Sequence, residues 1–131
     1  MKNLFCTHNQ SLALKELGFD IPCFAYVYTG DTGNNVDRYE ETEPSRAINF
    51  NHDSLCISQP LKSQVFEWFR DNYNLISCIR TNIYGCTIDE QEFYYEIVSV
   101  RGVGSYSLYN KFEEAESECI DKLIEMVKNK L

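Results

Sequence analysis

The chain has 131 residues, 44% of them hydrophobic and 14% aromatic, and a formal net charge of −8. That length and apolar content predict one globular domain with its own core and exclude a disordered chain. The charge is shared evenly, −4 from residues 1–59 (four basic, eight acidic) and −4 from residues 60–131 (eight basic, twelve acidic), and an acidic surface repels phosphate backbones, so nucleic acid is not the expected partner.

The start, Met-Lys-Asn-Leu-Phe-Cys-Thr-His, has no apolar stretch of the signal-peptide kind. No apolar run approaches the roughly 18 residues a membrane helix needs. A cytoplasmic chain without a membrane partner is therefore expected. In a reducing compartment the six cysteines, Cys6, Cys23, Cys56, Cys78, Cys86 and Cys119, read as thiols in or near the core. None are spaced Cys-x-x-Cys, and a zinc site is the lesser alternative.

The first predicted helix is Thr7–Leu17, with Thr7 as cap, Gln10 completing a capping box and Gly18 supplying the left-handed residue that ends it. Ile21–Thr29 reads as a strand, rich in β-branched and aromatic residues, with Pro22 at its start. Gly30–Asn35 reads as a turn. Residues 36–58 hold the acidic run Glu40-Glu41-Thr42-Glu43, and Arg46–Phe50 and Leu55–Ile57 are short strand candidates in what is otherwise a long loop.

Pro60 suits the first turn of a second helix capped by Ser58 or Gln59, along which Leu61, Val65, Trp68 and Phe69 form one apolar stripe; Asn72 to Asn74 closes it. Leu75–Tyr84 and Glu92–Val100 predict an antiparallel hairpin, and Arg101–Ser105 a further turn. The last helix is capped by Asn110 with Glu113, keeps a helical period through Phe112, Ala115, Cys119 and Leu123, and has acids at its start and Lys128 and Lys130 at its end, as the helix dipole favours. The order α, β, unassigned, α, β, β, α predicts an α+β fold: a small, mainly antiparallel sheet with about three helices packed on it.

Three stretches also carry a resemblance: Leu14-Lys15-Glu16-Leu17-Gly18-Phe19-Asp20-Ile21-Pro22-Cys23; Ile57-Ser58-Gln59-Pro60 running into Gln64-Val65-Phe66-Glu67-Trp68-Phe69-Arg70-Asp71; and Tyr109-Asn110-Lys111-Phe112-Glu113-Glu114-Ala115 followed by Cys119-Ile120-Asp121-Lys122-Leu123-Ile124. In order and content they resemble small uncharacterised proteins of gut anaerobic bacteria and their prophages. The resemblance spans roughly a third of the chain. It implies a setting, an accessory protein of a mobile element or its host, and no activity or site residue.

The residues offer several weak chemical signals. Asp31-Thr32-Gly33 spells the aspartic protease triplet but lacks the apolar strand directly before it, so it reads as a polar turn. Of the two histidines, His8 follows Cys6 at the first helix start, and His52 stands with Asp53 ahead of Cys56. Asp89, Glu90 and Glu92 cluster at the hairpin, where solvated charge is ordinary. Arg101-Gly102-Val103-Gly104 has two glycines but no helix directly after them to cradle a phosphate.

No catalytic set, cofactor or metal site emerges. His52, Asp53 and Arg101 remain as candidate binding residues. Nine tyrosines in a chain without a catalytic set favour a non-enzymatic protein-binding factor, with a homodimer as a related expectation. The alternative is a small-molecule or nucleotide-binding domain with weak hydrolytic activity. A pocket joining His52, Asp53 or Arg101 would favour the alternative, and a flat apolar patch the binding factor.

Overall fold

The computed structural model describes residues 4–28, 38–41, 47–82 and 92–130. The fold is α+β, as expected; among the described residues there are three α-helices, and the antiparallel strands are distributed over two three-stranded sheets instead of one. The chain divides into two compact units, Met1–Gln64 and Val65–Leu131.

In the first unit, helix α1 spans His8–Glu16. The Thr7 side chain accepts from the Gln10 N–H at 3.2 Å, and the Gln10 side chain accepts from the Thr7 N–H at 3.0 Å, which is the predicted capping box. At the other end Phe19 N–H donates to the Leu14 carbonyl and Gly18 N–H to the Lys15 carbonyl, a Schellman closure. Gly18 sits at φ 91°, a conformation costly for any residue with a Cβ. Strand β1 is Ala25–Tyr28, shorter than the predicted Ile21–Thr29; its centre is flanked by β2 (Arg38–Glu41) and β3 (Cys56–Ser58), both antiparallel to it. Cys23 adds an isolated bridge to Ile48. Ala25, Val27 and Ile57 are buried with Leu14 and Phe19.

Helix α2 (Lys62–Tyr73) contains the unit boundary. Neither predicted cap, Ser58 nor Gln59, directly precedes it; the Gln64 side chain reaches back and accepts from the Leu61 N–H at 3.0 Å. Ser58 lies in β3, where its hydroxyl accepts from the Phe50 N–H. Asn74, at φ 55°, ends the helix, as its place in the closing Asn72 to Asn74 run suggests.

In the second unit, β4 (Ile76–Asn82), β5 (Glu92–Ser99) and β6 (Gly102–Tyr109) form a sheet in that order. The predicted β4–β5 hairpin is present, with Ile76 opposite Val98 and Asn82 opposite Glu92. The predicted turn at Arg101–Ser105 is corrected: Gly102 onward is strand, joined to β5 through the tight Val100-Arg101 turn with Ser99 opposite Gly102. Two glycines and two serines hid this strand, because its pairing is made by backbone and not by an apolar pattern.

Helix α3 (Phe112–Lys130) lies on one face of this sheet. It starts one residue later than an Asn110 cap requires, the Lys111 carbonyl taking the first helical bond from Ala115. Ala115, Cys119, Ile120, Leu123, Ile124 and Val127 are buried, as are Tyr95 and Ile97 of the central strand, so this core follows the helical period seen in the sequence.

Candidate functional site

The loop holding His52 and Asp53 is ordered by amides and a lysine. Residues Phe50–His52 form one 3-10 turn, entered through Asn49, whose side chain accepts from the Asn51 N–H. The Asn51 side chain donates to the Phe19 carbonyl at 2.9 Å and accepts from the Ser58 N–H at 2.8 Å, tying the end of α1 to β3. Lys15 crosses from α1 and its Nζ donates to the carbonyls of Asp53 (3.0 Å) and Cys56 (2.6 Å). Tyr26 stacks on Phe50, with ring centroids 4.3 Å apart.

His52 and Asp53 are neighbours on this loop and both are exposed. The Asp53 carboxylate accepts from the Leu55 N–H at 2.8 Å, a local turn contact. Arg101 stands in the second unit, exposed in the β5–β6 turn, and its backbone N–H donates to the Ser99 hydroxyl at 3.2 Å. The structure thus places two of the candidates side by side and the third in the other unit. Asp31-Thr32-Gly33, Asp89, Glu90 and Cys86 lie outside the described residues.

The thiols are set by burial. Cys6, Cys23, Cys56 and Cys119 are buried thiols, whereas Cys78 is exposed, which corrects the expectation of a core position there. Burial pushes the Cys23 thiol up to about 12, with the Ser58 hydroxyl pulling weakly the other way, and pushes Cys119 up to about 12 against a similar pull from Ser77. Such thiols stay protonated and unreactive. Among the described residues no group of three His, Cys, Asp or Glu could hold a metal ion.

One row on the second unit's sheet is apolar and exposed. The face of the sheet away from Tyr95 and Ile97 carries Ile76, Val98 and Val103, one from each strand and directly in register, with exposures of 47%, 38% and 63%. Leu108 adds a fourth exposed apolar residue, at 53%. The row is bordered by an ion pair in which Arg80 Nε donates to Glu96 Oε2 at 2.8 Å. A cross-strand apolar row with a charged border is the composition of an interaction surface, since burial on the row stabilises a complex and the border sets orientation. The sequence did not signal it, because the three residues become neighbours only through strand register.

No family model, curated protein or solved structure matches this chain. Among the described residues no helix is long and apolar enough to cross a membrane.

Proposed function

We propose that the chain is a non-enzymatic protein-binding accessory factor, acting in the cytoplasm of a bacterium or on behalf of a mobile element it carries, and that the outer face of the β4–β5–β6 sheet is its binding surface. The observation that carries this reading is the in-register row Ile76, Val98 and Val103, exposed on a sheet whose other face already packs on α3. The loop at His52 and Asp53 offers less. Its amides and lysine already hold backbone groups of the same unit.

The test is affinity capture from host lysate with wild-type chain, Ile76→Lys and His52→Ala, followed by mass spectrometry. One protein recovered by wild type and His52→Ala but lost with Ile76→Lys is the expected result. Recovery that survives Ile76→Lys and fails with His52→Ala would move the site to the loop.

A further inference from the structure

We infer that the partner brings an acidic protein segment to the β5–β6 end of the second sheet, with apolar side chains over Ile76, Val98, Val100 and Val103 and carboxylates facing Arg101. The inference rests on the reading of this sheet as a binding surface and adds the chemistry of what binds there.

Apolar exposure is greatest at this end. Val100 stands in the β5–β6 turn at 87% exposure, and Val103 follows at 63%. Turns are ordinarily built from Gly, Pro, Asn, Asp or Ser, so local structure does not call for a valine there. Ile76, Val98 and Val103 carry the patch across three strands, a width of about 10 Å at about 4.8 Å per strand. A protein segment laid across the strands covers such a row.

The charge at this end is opposite to that of the whole chain. Arg101 is exposed in the turn. Phe112, at the start of α3, packs edge-on against Phe93 at the start of β5, with ring centroids 5.9 Å apart. Further along α3, Cys119 lies beside Ser77, which pairs with Ile97. The helix therefore runs in the direction of β5, and its last turn brings the exposed Lys128 and Lys130 to the end where β5 turns into β6. Nearby carboxylates are already paired: Glu67 and Asp71 with Arg70, Glu125 with Lys122, and Glu96 with Arg80. Glu113 and Glu114 open α3 at its far end, and Glu114 is roughly 21 Å from Lys128 at about 1.5 Å per residue. Screening acts over about 8 Å at physiological ionic strength, so a partner here meets the local cations before the net charge of −8. A second copy meeting this end with its own would present the same cations and be repelled.

The experiment is a titration of the isotope-labelled full chain, followed by NMR, with two probe peptides, one alternating leucine with glutamate and one alternating leucine with lysine. The glutamate peptide is expected to shift the amides of Ile76, Val98, Val100, Arg101 and Val103, and to bind at least about fivefold more tightly than the lysine peptide. Arg101→Glu is expected to weaken the glutamate peptide by about fivefold and to strengthen the lysine peptide. The turn holds Arg101 through its backbone N–H, which donates to the Ser99 hydroxyl, so this substitution leaves that contact in place. Equal binding of the two peptides at the row, or a preference for the lysine peptide, overturns the acidic partner and leaves the apolar surface standing. Shifts at the row with neither peptide also overturn it, and co-sedimentation with phosphatidylglycerol vesicles then shows whether an anionic lipid surface is the occupant instead. Lysate capture with Ile76→Lys tests the reading beneath, so the two proposals fail separately.

Discussion

Replacing Asn51 with Ala tests whether one side chain organises the first unit. The Asn51 amide makes two hydrogen bonds, to the Phe19 carbonyl at 2.9 Å and from the Ser58 N–H at 2.8 Å, and Phe19 and Ser58 are both buried residues. A typical hydrogen bond contributes about 1 kcal/mol net, and a buried group left without its partner costs about 1–3 kcal/mol. Truncation strands one donor and one acceptor. Asn51 itself is only partly buried, so water reaches some of the gap and the lower half of the range applies. A loss of about 2–4 kcal/mol is expected from a total stability of about 5–15 kcal/mol. Asn51→Asp keeps an acceptor for Ser58 but sets two acceptors against each other at Phe19, so it should recover no more than part of the loss. His52→Ala, one residue along and exposed, should stay within about 0.5 kcal/mol of wild type. The assay is urea unfolding followed by far-ultraviolet circular dichroism, comparing midpoints at unchanged slope. An Asn51→Ala midpoint matching that of His52→Ala would refute the reasoning.

Other expectations follow from single contacts. Lys15→Met removes the donor to the Asp53 and Cys56 carbonyls and should cost about 1–2 kcal/mol, with faster amide exchange across residues 53–56 as the local readout. Gly18→Ala meets no atom within 4 Å, so its cost is backbone strain alone, roughly 1–2 kcal/mol, read by thermal unfolding. A thiol reagent at neutral pH should modify Cys78 in the folded chain and reach Cys6, Cys23, Cys56 and Cys119 only on unfolding; rapid native modification of Cys119 would contradict the packed α3 core. Cys23 and Cys119 have folded values near 12 against 9.0 in the unfolded chain, so the unfolded state releases their protons first as pH rises. Stability should be insensitive to these thiols below pH 9 and fall between 9 and 12 by at most about 1.4 kcal/mol per pH unit for each, a slope that Cys119→Ala should reduce.

Local chemistry was legible wherever neighbours in sequence are neighbours in space. The Thr7–Gln10 box, the Gly18 stop, the α3 stripe and the β4–β5 pairing are all contacts within a few residues or along a regular period. The strands β2 and β6 were not legible. Arg38–Glu41 reads as part of a charged loop, and Arg101–Ser105 as a turn, yet the strands Arg38–Glu41 and Gly102–Tyr109 are held by backbone hydrogen bonds that any residue but proline can make. Cys78 was assigned by residue type to the interior, but strand alternation turns it outward beside Ile76 and Arg80. His52 and Asp53 drew attention because their side chains carry chemistry, while the residue that organises their loop is an asparagine. Its partner Phe19 is 32 residues away, and no local pattern announces that distance.

The same contrast says where binding should be sought. In the first unit the polar side chains near the candidates are engaged: Lys15 on two carbonyls, Asn51 on two backbone groups, Asp53 on the Leu55 N–H. A ligand there would have to compete with contacts that hold the loop together, and each lost contact costs about as much as a new one gains. In the second unit Ile76, Val98, Val103 and Leu108 remain in water although their sheet has a well-packed opposite face. Covering them adds apolar burial, on the order of 25 cal/mol per Å² removed from water, without breaking any contact within the described fold. If the charged replacement Ile76→Lys leaves stability unchanged while abolishing capture of a partner, the apolar row is there for binding. If it instead lowers stability by more than about 1 kcal/mol, the row supports the fold and the site must lie elsewhere.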